Sequence, residues 1–218
     1  MAWSTEFNRS LLGSLIVVDG VVYVGSNSGY LSALNATTGA PLPSSQWALP
    51  YLGNTSYSEC GAPNFIGIRD DGVISTPTYW NGSLIEAGGN DSLYVLRPNG
   101  TVVSRIDIGN TSNQTPYYEE YDWASPLVYH GFAYYGTAAL CEYNRGVGGQ
   151  PDWKYIQAQL LQINLSSDHI QNVFNVTNGT SDADTGGSIW TTASVDPATN
   201  LVWITTGNEN QSRQTPAN

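Results

Sequence analysis

Apolar residues along this chain come in short runs, each ended by a polar pair that carries glycine or asparagine. The stretch "SLIVVDGVVYVGSNSGYLSALNATTGAPL", residues 14–42, sets the pattern. An apolar run meets Asp19-Gly20, a second run ends at Gly25, and an alternating run "YLSALN" leads into Thr37-Thr38-Gly39. Asp-Gly and Asn-Gly supply the positive φ angles that a tight hairpin needs, and period-two alternation places successive side chains on opposite faces of a sheet. The same order returns in "STPTYWNGSLIEAGGNDSLYVLRPNGTVVSRIDI", residues 75–108. It returns again in "ASPLVYHGFAYYGTAAL", residues 124–140, which resumes as "YIQAQLLQINLSSDHIQNVFNV", residues 155–176. A last partial copy, "TTASVDPATNLVWITTGN", covers residues 191–208. Second strands are expected to close on Gly25, Gly88, Gly136 and Gly207, and no stretch sustains a helical period.

Four antiparallel strands repeated at intervals of about 50–70 residues describe the blades of a β-propeller. An immunoglobulin-like sandwich would not repeat one hairpin grammar four times. The chain is therefore expected to be all-β, a single partial propeller over residues 1–218, with blades near 14–50, 75–108, 124–176 and 187–218. The last blade is incomplete. A bare sheet edge is a pairing hazard, so the missing blades are expected from the rest of a longer chain or from a partner, the former preferred.

Composition narrows the partners. Charged residues are 11% of the chain, and seven Lys plus Arg against eighteen Asp plus Glu give a net charge of −11. The cations are scattered singly, which does not suit a phosphate backbone, and no apolar run reaches the roughly 20 residues of a membrane span. Neither nucleic acid nor a membrane span is expected. The start, Met-Ala-Trp-Ser-Thr-Glu-Phe, shows no signal peptide.

Asparagine usage nevertheless points to export. Twelve of nineteen asparagines stand in Asn-x-Ser/Thr, against about 3.6 expected by chance. They are Asn8, Asn35, Asn54, Asn81, Asn90, Asn99, Asn110, Asn113, Asn164, Asn175, Asn178 and Asn210. Turn chemistry also favours Asn, Ser and Thr, but the excess favours an extracellular glycoprotein. Cys60 and Cys141 suit that compartment, either as one disulfide across a long loop or as two buried thiols.

The run "VVDGVVYVGSNSGYLSALNATTGAPL" resembles the repeat of pyrroloquinoline quinone (PQQ) proteins. Ala33-Leu34 to Gly39 matches the turn that closes each blade, and Trp47 the aromatic that follows. "GTAALCEYNRG" followed by "GGSIWTTASVDPATNLVWITTGN" resembles the secreted quinoprotein alcohol and polyvinyl alcohol dehydrogenases. The resemblance implies rings of eight blades, with a quinone lying on a tryptophan face and Ca²⁺ at its carbonyl edge. It puts Trp190 under the quinone, Ser188 where a Thr bonds the cofactor, and Glu142 and Asn208 on the calcium, with Arg145-Gly146 near the family's Arg-Gly.

Residue chemistry agrees, since Ca²⁺ takes oxygen ligands and an indole offers a wide planar face. Taken singly, Trp190 also reads as inter-blade core, Asn208 as a turn and Glu142 as a solvated loop carboxylate. The adjacent cysteines of the family's alcohol dehydrogenases are lacking. Its general-base aspartate would fall beyond Asn208, so turnover is not expected from these 218 residues alone.

Other chemistries have weak signals. His130 and His169 are expected at turns, and "YYEEYDW", residues 117–123, as an exposed inter-blade loop. P-loop, G-x-S-x-G and H-E-x-x-H patterns are absent. Two functions remain: part of a secreted quinoprotein dehydrogenase using PQQ and Ca²⁺ on a small alcohol or polymer, or a non-catalytic glycosylated propeller acting as an extracellular scaffold, binding or cell-surface protein.

Overall fold

A computed structural model describes residues 2–49, 72–88, 92–108, 120–121, 123–139, 158–177 and 187–207. These residues hold sixteen strands: β1 (Ile16–Val18), β2 (Val21–Ser26), β3 (Tyr30–Asn35), β4 (Pro41–Ala48), β5 (Thr78–Trp80), β6 (Ser83–Gly88), β7 (Ser92–Leu96), β8 (Val102–Asp107), β9 (Glu120–Tyr121), β10 (Leu127–Tyr129), β11 (Phe132–Gly136), β12 (Ala138–Ala139), β13 (Gln159–Asn164), β14 (His169–Asn175), β15 (Ser194–Asp196) and β16 (Leu201–Trp203). They form three four-stranded antiparallel sheets, β1–β4, β5–β8 and β10-β11-β13-β14, with a two-stranded fourth, β15-β16. The expected all-β blade architecture is present, and the ring is not closed.

Each inner hairpin turns where the dipeptides demand. Asp19-Gly20, Asn81-Gly82 and His130-Gly131 all have positive φ, between 47° and 81°. The fourth turn uses Asn200 alone at φ 56°, after Asp196 accepts hydrogen bonds from the Ala198 amide and the Thr199 hydroxyl. In all three complete blades the pairing of third and fourth strands shifts once, at Ser32/Leu34, Val95/Leu96 and Gln162/Ile163. A bulge at that place bends the outermost strand away. A further pairing, β9 with β12, was not foreseen and draws Glu120–Tyr121 alongside the third blade.

Register corrects two of the expected strand ends. Val21, Ser83, Phe132 and Leu201 open the second strands, so Gly25, Ala87 and Gly136 are equivalent. Gly88 therefore lies one residue beyond the repeat position, and Gly207 two residues beyond its own, which Thr205 fills.

Apolar faces are buried between consecutive blades. Tyr23, Leu31 and Ala33 of the first sheet meet Leu84, Tyr94 and Leu96 of the second. Ile85, Leu93 and Ile106 meet Tyr135, Leu161 and Ile163 of the third. Burying each large side chain contributes about 1.5–3 kcal/mol. Along the innermost strands one blade grips the next: the Ser14 amide donates to Thr76 Oγ1 at 2.9 Å, and the Thr76 amide to Ser125 Oγ at 2.8 Å.

Candidate functional site

Trp190 lies on the segment that enters the inner strand of the fourth blade. The Ile189 amide just before it donates to the Thr137 carbonyl at 3.0 Å, tying the segment to the third blade. Gly136 makes this approach possible, because a Cβ there would come within 2.3 Å of Ile189 Cγ2. With its neighbour so anchored, Trp190 as a residue stays 46% exposed.

Its partner is Trp123, with ring centroids 5.5 Å apart and planes tilted by 52°. Each tryptophan stands two residues before the inner-strand hydroxyl position of its blade, at Ser125 and Thr192. Leu12 and Ile74 hold the same place before Ser14 and Thr76. The pair is therefore one repeat position filled twice by an indole. Sequence reading had set Trp123 in an exposed loop; the structure makes it half-buried. The tryptophan repeat two residues ahead of a Ser/Thr could have revealed it.

Ser188 is fully buried. Its carbonyl accepts from the Gly207 amide at 2.7 Å, and the Thr191 and Thr205 hydroxyls hydrogen-bond at 2.8 Å. The Gly-Ser-Ile-Trp segment that enters the fourth blade and the Thr-Thr-Gly segment that leaves it are thus laced side by side. Glu142, Asn208, Cys60 and Cys141 lie outside the described residues, as do Arg145 and Gly146. Among the described residues no three His, Cys, Asp or Glu side chains converge on a common point.

One buried carboxyl had not been singled out. Glu86 on β6 is fully buried, its Oε1 accepting from Ser75 Oγ while Oε2 has no hydrogen-bond partner among the described residues. Burial pushes its pKa well above the carboxylate range, and the hydrogen bonds from Ser75 and the Ala87 amide only partly oppose this. Its signal was legible: a Glu in a strand position filled by Val24 and Tyr135 in the sister blades.

Several Asn-x-Ser/Thr asparagines have structural duties. Asn35 Oδ1 accepts from the Thr37 and Thr38 amides at 2.9 and 3.0 Å, and Asn164 Oδ1 from those of Ser166 and Ser167 at 2.9 and 3.3 Å. Asn99 Oδ1 accepts from Thr101 at 3.1 Å. The turn into the outermost strand therefore selects part of that pattern for itself. His130 is exposed in its hairpin turn, and His169 is exposed at the start of β14, just past a turn.

No family model matches the chain, and no curated protein matches it. Solved structures do. A quinohaemoprotein alcohol dehydrogenase from Comamonas testosteroni superposes with a TM-score of 0.64 at 14% identity, covering 93% of this chain and 30% of that one. A europium-containing methanol dehydrogenase gives a TM-score of 0.66 at 15% identity over 96% of this chain and 38% of the other. BamB from Moraxella catarrhalis gives 0.56 at 16% identity, over 89% and 46%. The chain has the propeller fold of these proteins. It spans about a third of the length of the first dehydrogenases it matches.

Proposed function

We propose that this chain is the first four blades of a secreted quinoprotein dehydrogenase-like propeller that oxidises an alcohol, small or polymeric, with PQQ and Ca²⁺ in the complete ring. The observation that carries this reading is the half-open face of Trp190, braced by Trp123 on an entry segment laced to Thr205 and Gly207. A planar aromatic ligand gains apolar contact and stacking on such a face. In its fold the chain resembles alcohol and methanol dehydrogenases.

A bound quinone with Ca²⁺ supplies the electron acceptor and the Lewis acid that polarises it. This chain's part is to hold and orient. Trp190 would offer the face, Glu142 and Asn208 would supply oxygen ligands suited to Ca²⁺, and the buried Ser188 carbonyl holds the Gly207 amide beside it. The base that takes the hydroxyl proton belongs to the remainder of the ring.

The test loads the complete protein with PQQ and Ca²⁺ and follows dye-linked alcohol oxidation before and after calcium chelation. Activity that needs both additions is expected. No oxidation of any primary, secondary or polymeric alcohol by the loaded protein would overturn the reading.

One observation favours a second reading, the non-catalytic glycosylated propeller: Asn8, Asn81, Asn99 and Asn175, all in Asn-x-Ser/Thr, are exposed. Intact mass before and after glycosidase treatment of the secreted protein measures their occupancy. Heavy glycans on a protein that takes up no quinone are the outcome this second reading expects.

A further inference from the structure

One buried side chain in the first blade is too small for its place. Strand pairing makes Ser32 on β3 the counterpart of Tyr94 in the second blade and of Leu161 in the third, both buried. Ser32 is itself 2% exposed, and its Oγ has no hydrogen-bond partner among the described residues. Where the sister blades carry a phenol ring or a leucine, the first blade has a cavity of about 170 Å³, and Ser32 lines it. An empty cavity and an unsatisfied buried hydroxyl each cost stability. A leucine would remove both costs, so packing alone does not account for the serine.

The rest of the lining mixes hydroxyls with apolar surface. Ser26 and Ser28 share a hydrogen bond, Oγ to Oγ, at 2.6 Å, and Ser26 Oγ also bonds the Tyr30 carbonyl at 3.2 Å. The buried Ser45 lines the cavity too, and Phe7 and Leu34 supply apolar patches. Residues 5–8 form a second wall that is tied down on either side. Trp3 Nε1 donates to the Ala36 carbonyl at 2.9 Å and Thr5 Oγ1 to that of Gly39 at 2.7 Å, while the Ser10 carbonyl accepts from the Asn27 amide at 3.0 Å.

This lining selects by chemistry and by size. Among the described residues no Lys or Arg lines the cavity, so an anion would lack a counter-charge. Its one carboxylate, Glu6, is exposed, and no three His, Cys, Asp or Glu side chains among the described residues converge to hold a metal ion. Hydroxyls interleaved with apolar surface suit a molecule that carries a hydroxyl on each carbon. At about 30 Å³ for each water, the volume equals about five or six waters, which is the size of glycerol or erythritol.

We propose that this cavity binds a small neutral polyol of three or four carbons. Ser32 Oγ hydrogen-bonds one of its hydroxyls, and Phe7 and Leu34 pack on its carbons. The site uses none of the residues assigned to the quinone, so loss of PQQ binding leaves it untouched.

Titration calorimetry on the complete protein, without added PQQ, tests this with glycerol, meso-erythritol and 1-butanol as probes. One saturable site for glycerol or erythritol is expected, with a Kd of about 1 mM or tighter, and none for 1-butanol. Ser32→Ala should weaken polyol binding about tenfold or more, since it leaves a ligand hydroxyl unpaired. Ser32→Leu, which installs the residue of the third blade, should abolish binding; if it prevents folding, Ser32→Ala decides. The absence of saturable polyol binding, which would mean a cavity holding water only, would overturn the proposal. So would unchanged affinity in Ser32→Ala, or 1-butanol binding as tightly as glycerol.

Discussion

Glu86 is the residue whose chemistry departs furthest from its surroundings. Its carboxyl is sealed between the first two blades, on the face it shares in register with Tyr94 and Arg105. Burial favours the protonated form, so the folded pKa stands above the unfolded value of about 4.3. The folded state then holds more protons than the unfolded state above that value, and stability falls as pH rises toward the folded pKa, by up to about 1.4 kcal/mol per pH unit. Glu86→Gln removes the titration while keeping the size. Urea unfolding from pH 5 to 8 should show a slope in the parent protein that is shallower in the variant, with the variant the more stable at pH 8. Parallel slopes would refute this assignment.

Asn35 offers a second test at the same scale. Asn35→Asp keeps the oxygen that two amides need and removes any glycan, whereas Asn35→Ala removes both. If the turn is the main duty of this side chain, Ala should cost about 1–3 kcal/mol for the two lost hydrogen bonds, and Asp much less. Equal losses would point instead to the carbohydrate.

Among elements, the inner hairpins were the most legible, because Asp19-Gly20, Asn81-Gly82 and His130-Gly131 state their backbone angles in residue type. The third strands were legible through alternation. Less could be read where partner strands decide. The equivalence of Gly25 with Ala87 rather than Gly88 follows from cross-strand register, which one strand's sequence does not carry. The β9-β12 pairing joins two-residue strands too short for any period, and with it went the placement of Trp123 beside Trp190.

The packing of elements predicts a sharp contrast. Leu161 is 1% exposed in the core between the second and third blades, while Phe174 on the outermost strand is 60% exposed. Leu161→Ala should cost about 2–5 kcal/mol, and Phe174→Ser no more than about 0.5 kcal/mol. Denaturant midpoints at constant slope measure both.

At the scale of the whole molecule, the sheets are held face to face by apolar layers and along the axis by hydroxyl-to-amide links from one blade to the next. The propeller could be read from repetition alone. Of the candidate site, Trp190 and Ser188 lie on one laced segment, while Glu142 and Asn208 lie outside the described residues. Trp190's half-open face depends on a neighbour contributed from 67 positions earlier in the chain, which no local pattern encodes.

The central claim is that this indole carries the quinone, and retention is its most direct measure. The complete protein, incubated with PQQ and Ca²⁺ and then desalted, should keep about one quinone per ring by absorbance. Trp190→Ala should weaken that retention tenfold or more, a loss of at least about 1.4 kcal/mol of binding, with Trp190→Phe between the two. A parent protein that keeps no quinone, or a Trp190→Ala variant that keeps as much as the parent, would contradict the account.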